Sequence, residues 1–181
     1  HKDGAYVDIF ISNPDITYTK RAWDIEIMDF PTREKRSFRG MAARLLAYCL
    51  NFARGLEFTR GLSTADEPDI WLHSDSGEID HWIEIGQPEE ARLRKACGRA
   101  RRVSLYTFGK SSDTWWKLNG EAISALPRLH AWQFSWPEIV AAAALLDRTV
   151  QLSVSIVGGM IYLDNGRDSA SIEPRLLYTA E

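Results

Sequence analysis

The chain has 181 residues, of which 45% are apolar and 26% are charged, and its formal net charge is −3. This length and composition are typical of a folded protein with one well-filled core, so we expect a single domain over residues 1–181. The net charge excludes a globally basic nucleic-acid binder, but it is compatible with a local basic patch.

Compartment and membrane association follow from simple counts. No apolar run approaches the roughly 20 residues that a membrane-spanning helix needs, and we see no secretory signal. Cys49 and Cys97 lie among apolar helical neighbours, without the spacing of a zinc site or a disulfide framework. We therefore expect two buried free thiols, a reducing cytoplasmic location and no membrane partner.

The first elements in chain order are two strands and a helix. Apolar alternation predicts strands over residues 6–11 and 16–29, joined by a turn at residues 13–15 and paired antiparallel. Apolar residues at helical spacing predict a helix over residues 34–54 that ends at Gly55. These apolar residues are Met41, Leu45, Tyr48 and Phe52.

The central stretch, residues 57–108, combines a hairpin, a helix and a further strand. Strands are predicted over residues 68–73 and 78–85, on either side of a Ser-Asp-Ser-Gly turn. Gly86-Gln87-Pro88 predicts the start of a helix that reaches residue 100, and a buried strand follows over residues 103–108. The helix pattern also predicts a basic stripe of side chains at three- and four-residue steps. Its members are Arg92, Lys95, Arg99 and Arg102.

Helices and strands continue to alternate in the rest of the chain. The remaining predicted elements are helices over residues 113–126 and 137–147 and strands over residues 128–134, 150–156, 160–164 and 170–172. The strands at 150–156 and 160–164 form a hairpin at Gly158-Gly159. The complete order predicts an α/β fold with a mixed β-sheet flanked by helices.

Two acidic residues of the central hairpin are the main candidates for chemistry. Asp69 lies near the start of its first strand and Glu84 near the end of its second, so the reversal at the turn brings them together. Converging carboxylates are the ligands that Mg²⁺ or Mn²⁺ prefers. The alternative interpretation is that these acids pair with arginines, which Arg60, Arg92 and Arg94 could supply.

The pattern of Pro68-Asp69, fourteen further residues and Glu84-Ile85-Gly86 resembles the PD-(D/E)XK nuclease motif. More closely, the whole chain is similar to the YaeQ family of bacterial proteins. The similarity is carried by LEFTRGLSTADEPDIW (56–71), GEIDHWIEIGQP (77–88), RLRKACGRARRVSLYTFG (92–109) and the tryptophan pair at 115–116. This resemblance implies a variant of the PD-(D/E)XK, or restriction-endonuclease-like, core at about residues 34–108, with extra N-terminal strands and a C-terminal hairpin.

The same resemblance implies roles for individual residues. Asp69 and Glu84 would be catalytic and would bind Mg²⁺ or Mn²⁺. The motif lysine is replaced by Gly86, so Gln87 or Lys95 would have to stand in for it as a catalytic residue. Further candidates for the site are Arg44, Glu57 and Arg60.

Three hypotheses about function follow. The first is a metal-dependent nuclease or other phosphodiesterase that acts on DNA or RNA, whose backbone would follow the basic stripe. The second, motivated by Gly86, is a non-catalytic module on a degenerate nuclease scaffold that binds nucleic acid or protein. The third is that the basic stripe and the acids only support the fold. For His73, His81 and His130 we expect structural roles.

Overall fold

A computed structural model describes residues 5–12, 20–27, 35–59, 66–147 and 149–180. These residues form eleven strands and four helices. In chain order they are β1 (Ala5–Ser12), β2 (Lys20–Ile27), α1 (Lys35–Leu50), β3 (Glu57–Phe58), β4 (Ile70–His73), β5 (Ile79–Ile85), α2 (Glu90–Arg99), β6 (Val103–Thr107), α3 (Ser112–Ile123), β7 (Leu129–Gln133), α4 (Trp136–Ala143), β8 (Thr149–Val157), β9 (Met160–Asp164), β10 (Ser169–Ile172) and β11 (Arg175–Thr179).

The chain divides into two compact units, each with its own mixed sheet, where the sequence had predicted one sheet. The first unit comprises residues 1–51 and 135–174, and the second comprises residues 52–134 and 175–181. The sequence did not predict two sheets because the order of strands along the chain does not specify which strands pair. Pairing depends on contacts between distant segments.

The first unit contains a five-stranded sheet in the order β10-β9-β8-β1-β2. The predicted antiparallel pairing of β1 with β2 and the predicted hairpin of β8 and β9 are both confirmed. The turn predicted at residues 13–15 lies outside the described residues. Helices α1 and α4 pack against each other, and α4 also contacts β10. The apolar residues of α1 are buried as their spacing predicts, and they include Met41, Leu45 and Tyr48.

The second unit contains a six-stranded sheet in the order β11-β7-β6-β5-β4-β3. Its centre, β5-β6-β7, is parallel, and the outer strands are antiparallel to their neighbours. Helices α2 and α3 cover one face through a core that includes Trp82, Leu93, Leu105 and Ile123. Strand β11 has no counterpart among the sequence predictions.

The helices end or begin at other residues than the sequence predicts. α1 ends at Leu50 rather than residue 54, and α3 and α4 end at Ile123 and Ala143 rather than residues 126 and 147. Beyond α3 and α4 the backbone makes tighter i→i+3 bonds, as from Leu126 to Ile123. α2 begins at Glu90, because Gly86 at φ 119° still bonds to Tyr106 of β6 and keeps the following residues extended.

Arg102 lies beyond the last residue of α2, Arg99, so the helical part of the basic stripe has only three members.

Cys49 and Cys97 are both buried and free of disulfides, as expected, and burial raises their thiol pKa values to about 12 and about 11. Among the described helices, none is long and apolar enough to cross a membrane.

Candidate functional site

The register of the β4–β5 hairpin brings Asp69 and Glu84 together. Ile70, the residue after Asp69, lies opposite Ile83, the residue before Glu84. The Asp69 N–H donates to the Ile83 carbonyl at 3.2 Å, and the Asp69 Oδ2 atom accepts the N–H of Ile85, the residue after Glu84, at 2.9 Å. Besides burial, the charge of Asp69 contributes to a raised pKa at Glu84, so the two carboxylates lie near each other.

Glu84 is held firmly at the end of β5. Its Oε1 atom accepts the indole N–H of Trp82 at 2.9 Å and the Nε–H of Arg92 at 3.0 Å, and it forms an ion pair with Arg92 Nη2 at 2.9 Å. Burial is the main cause of the raised Glu84 pKa, because only 4% of the residue is exposed. The hydrogen bonds from Arg92 and Trp82 act in the opposite direction and favour the charged form.

Asp69 is fixed by backbone contacts on both sides. Its Oδ2 atom accepts the Ile85 N–H at 2.9 Å, and its carbonyl accepts the Thr59 N–H at 3.0 Å. The Thr59 hydroxyl donates to the Pro68 carbonyl at 2.6 Å. These bonds tie the start of β4 to β5 on one side and to the end of β3 on the other.

Two arginines of α2 bind the segment that leads into β4 and includes Asp69, which we call the motif loop (residues 66–69). Arg92 Nη2 donates to the Glu67 carbonyl at 2.7 Å, and Arg99 Nη1 donates to the Asp66 carbonyl at 3.1 Å. The guanidinium of Arg99 also lies 5.2 Å from the centre of the Trp82 ring, within cation–π distance. Two of the four predicted nucleic-acid-binding residues thus contact the protein's own backbone.

The other two members of the basic stripe, Lys95 and Arg102, are exposed at the surface. Lys95 lies on α2 and makes no hydrogen bond or ion pair within the part of the chain that the structure describes. Arg102 lies in the connection between α2 and β6, where its charge helps to lower the pKa of His81. Lys95 and Arg102 are therefore the stripe members best placed to meet an external anion.

Gly86 occupies the expected lysine position, and the structure explains why a side chain is disfavoured there. Its φ of 119° lies in the region that L-residues rarely adopt, although a Cβ would meet no atom of the described residues within 4 Å. The adjacent Gln87 is exposed, and its amide donates to the Phe108 carbonyl at 3.2 Å and to Ser111 Oγ at 3.1 Å. These partners follow β6, on the opposite side of β5 from β4 and Asp69.

The additional candidates have separate placements. Glu57, on β3, lies opposite Trp71 of β4 and accepts the indole N–H of Trp71 at 3.1 Å. Arg44 is buried on α1, in the first unit. Arg60 lies outside the described residues.

The three histidines lie on strands β4, β5 and β7. His81 is buried and lies 2.7 Å from the Ser104 hydroxyl, and burial lowers its pKa to about 4. His130 lies 2.8 Å from the Thr179 hydroxyl on the adjacent strand β11. His73 is exposed, with its ring edge-on to Trp71.

The chemistry of the site matches a hard divalent cation. The described residues contain no group of three or more His, Cys, Asp or Glu side chains that could hold a metal. Mg²⁺, however, commonly binds through only one or two carboxylates and completes its coordination with water and substrate phosphates. Two adjacent carboxylates that lack nitrogen or sulfur ligands beside them fit that requirement.

Sequence reasoning assigned no role at the site to Trp82. The period of two along a strand places Trp82 on the same face as Glu84, but it does not predict the hydrogen bond between them. The carbonyls of Asp66 and Glu67 were missed for a different reason. Backbone acceptors carry no residue-type signal, and these two lie far in sequence from the arginines that bind them.

Comparisons with known proteins agree on one family. A family model described as YaeQ protein matches residues 19–174. "Uncharacterized protein YaeQ" from Escherichia coli (strain K12) is 35% identical over 133 residues, which cover 73% of this chain and 74% of the relative. The relative of that name from Salmonella typhi is 35% identical over 134 residues, with coverage of 74% for both.

Two crystal structures resemble the whole chain. The YaeQ protein from Xanthomonas axonopodis pv. citri has a TM-score of 0.88 at 30% identity, with 98% of each chain covered. The YaeQ protein from Pseudomonas syringae has a TM-score of 0.87 at 26% identity, with 97% of this chain and 96% of that chain covered. The mixed α/β architecture described above is therefore shared with these proteins.

Proposed function

The chain belongs to the YaeQ family, and we propose that it is a Mg²⁺- or Mn²⁺-dependent phosphodiesterase that acts on DNA or RNA. In this proposal Asp69 and Glu84 are the cation ligands, and the surrounding hairpin, α2 and β6 are a variant of the PD-(D/E)XK core. A cytoplasmic location belongs to the same proposal, in keeping with the two free thiols.

The observation that carries the proposal is the closeness of Asp69 and Glu84 at the open end of the β4–β5 hairpin, where Asp69 Oδ2 accepts the N–H of the residue after Glu84. Two nearby carboxylates repel each other, and the raised pKa of Glu84, which is due mainly to burial, reflects that repulsion in part. A divalent cation between them would relieve the repulsion. The acids are followed by a helix and a parallel strand, which is the order that the nuclease motif requires.

A bound cation would activate a water molecule and stabilise the negative charge that develops on the phosphodiester. The chain's own residues would position the reactants. Asp69 and Glu84 would hold the cation, and Arg92 would keep Glu84 ionised despite its burial. Lys95 and Arg102, which are exposed, would contact the phosphate backbone of the substrate. No side chain at Gly86 would assist the water, and Gln87 binds Phe108 and Ser111 on the other side of β5, so Lys95 is the remaining candidate of the two.

The test is a cleavage assay with labelled single- and double-stranded DNA and RNA in Mg²⁺ or Mn²⁺. We expect cleavage by the wild type and a loss of about 10²-fold or more in both Asp69→Asn and Glu84→Gln, since each removes a ligand. Asp75→Asn and Glu89→Gln, at exposed positions, are matched controls that should retain activity. Cleavage that survives both site substitutions would show that the proposed site is wrong.

A second candidate, a non-catalytic binding module, is favoured by the missing lysine at Gly86 and by the ion pair of Arg92 with Glu84. It predicts salt-sensitive binding of nucleic acid without turnover, weakened in Lys95→Gln and Arg102→Gln. A titration with labelled DNA and RNA at low salt measures this. Absence of binding by the wild type would exclude the nucleic-acid version of this candidate.

A further inference from the structure

Glu84 offers only one of its two carboxylate oxygens to a ligand. Trp82 Nε1 and Arg92 Nε donate hydrogen bonds to Oε1 at 2.9 and 3.0 Å, and Arg92 Nη2 forms an ion pair with the same atom at 2.9 Å. A carboxylate oxygen accepts about two hydrogen bonds along its lone pairs, so Oε1 is fully occupied. Oε2 makes no hydrogen bond to any residue within the described ranges. The side chain is therefore oriented with Oε2 as its remaining ligand atom.

The two donors are themselves immobilised, which makes this orientation rigid. Trp82 is 1% exposed and belongs to the core beneath α2. Arg92 is anchored twice, because its Nη2 atom also donates to the Glu67 carbonyl of the motif loop at 2.7 Å. Rotation of Glu84 to present both oxygens would break these bonds in a buried setting, where lost hydrogen bonds are costly.

Divalent cations differ in the carboxylate geometry that they need. Ca²⁺ takes six to eight oxygen ligands and commonly uses a carboxylate in bidentate fashion. Mg²⁺ is smaller, requires octahedral geometry, and combines one or two carboxylates with several waters. A carboxylate that is restricted to one oxygen therefore suits the smaller octahedral cation and disfavours Ca²⁺.

We propose that Arg92, together with Trp82, is a positioning residue that restricts Glu84 to a single oxygen and so makes the site select Mg²⁺ or Mn²⁺ over Ca²⁺. The inference rests on the proposed assignment of Asp69 and Glu84 as cation ligands. It goes beyond that assignment by naming the determinant of cation choice. Arg92 contributes as an internal donor here, in contrast to the phosphate-binding role expected from the basic stripe.

The test measures dissociation constants for Mn²⁺, Mg²⁺ and Ca²⁺ by calorimetric titration of the purified protein without nucleic acid. We expect the wild type to bind Mn²⁺ at least about 10-fold more tightly than Ca²⁺, and Arg92→Met to reduce this ratio by about 10-fold. The ratio is the readout because removal of a positive charge strengthens the binding of every cation alike. Arg92→Lys keeps the positive charge but cannot contact Glu84 through two nitrogens. Its affinity ratio should therefore lie between those of the wild type and Arg92→Met.

Two further variants serve as a control and as an independent test. Arg94→Met is the matched control, because Arg94 lies on the same helix and pairs with Glu90 at 2.6 Å, so its ratio should equal that of the wild type. Trp82→Phe removes one donor to Oε1 and keeps an aromatic ring in the core. Trp82→Phe should also lower the ratio of Mn²⁺ to Ca²⁺ affinity. If Arg92→Met does not fold, this variant provides the test of the proposal.

The outcomes separate this inference from the proposed function. Equal affinities for Mn²⁺ and Ca²⁺ in the wild type, an unchanged ratio in both Arg92→Met and Trp82→Phe, or no cation binding at all would overturn it. Selective binding without any cleavage would support it and count against the phosphodiesterase. Cleavage that depends on Asp69 and Glu84, combined with an unchanged ratio, would overturn it and leave the phosphodiesterase standing.

Discussion

Acidification should destabilise this protein through one buried histidine, His81. The residue is 8% exposed, and its Nε2 atom lies 2.7 Å from the Ser104 hydroxyl. Burial lowers its pKa from 6.5 to about 4, and the charges of Arg102 and His130 act in the same direction. The folded protein therefore holds the neutral ring where the unfolded chain would already bind a proton.

The sign and size of the effect follow from this difference. Between pH 6.5 and pH 4 the unfolded state binds more protons, so the free energy of unfolding falls as the pH falls. Above pH 6.5 the ring is neutral in both states, and below about pH 4 it is protonated in both. The interval from 6.5 to about 4, at about 1.4 kcal/mol per pH unit, corresponds to a loss of about 3 kcal/mol.

Urea titrations at several pH values between 7 and 4 measure the effect in the wild type and in His81→Gln. Gln places an amide near the position of Nε2, where it can still bond to Ser104, and it does not titrate. The variant should lose about 3 kcal/mol less than the wild type on acidification. His73→Gln, at an exposed position, is the matched control and should behave like the wild type. Parallel pH dependences in the wild type and in His81→Gln would refute the reasoning.

Three further substitutions test local packing and hydrogen bonding, and urea unfolding at neutral pH measures the effect of each. Gly98→Ala in α2 should stabilise the protein by up to about 1 kcal/mol, because a Cβ there would meet none of the described residues within 4 Å. Gly120→Ala in α3 should destabilise by about 1–3 kcal/mol, because its Cβ would lie 2.7 Å from Trp116; equal effects of the two substitutions would contradict this account. The Thr107 hydroxyl is buried without a hydrogen-bond partner among the described residues, so Thr107→Val should be neutral or stabilising by about 1 kcal/mol. A clear loss of stability in that variant would reveal a partner, such as a buried water.

Local patterns predicted most of the elements because burial has a short period along the chain. The alternating burial in β7 and the stripe of Leu93, Ala96 and Cys97 in α2 each follow from the spacing of near neighbours in the chain. Element ends were predicted less well. Pro88 favours a helix start, yet α2 begins at Glu90, because the bond from Gly86 to β6 keeps the chain extended.

The closeness of Asp69 and Glu84 was also predicted from the sequence, because a hairpin brings the outer ends of its two strands together, even though the register shifts between Leu72 and His73. The side chains that contact these two acids could not be predicted from the sequence. Arg92 could have faced an external phosphate or an internal acid, and both choices satisfy the same helical spacing. The contact with Glu84 depends on how α2 docks onto the sheet.

By itself, then, the sequence determined the α/β class, most helices and strands, the family, and the pair of acids at the open end of one hairpin. Only the tertiary structure decided that the strands form two sheets, that β11 pairs with β7, and that Arg92 and Arg99 bind the motif loop. The physical reason is the range of the interactions. Periodicity, turns and hairpins involve neighbours in the chain, whereas the partner of a long cationic side chain is chosen among groups that only folding brings within about 3 Å.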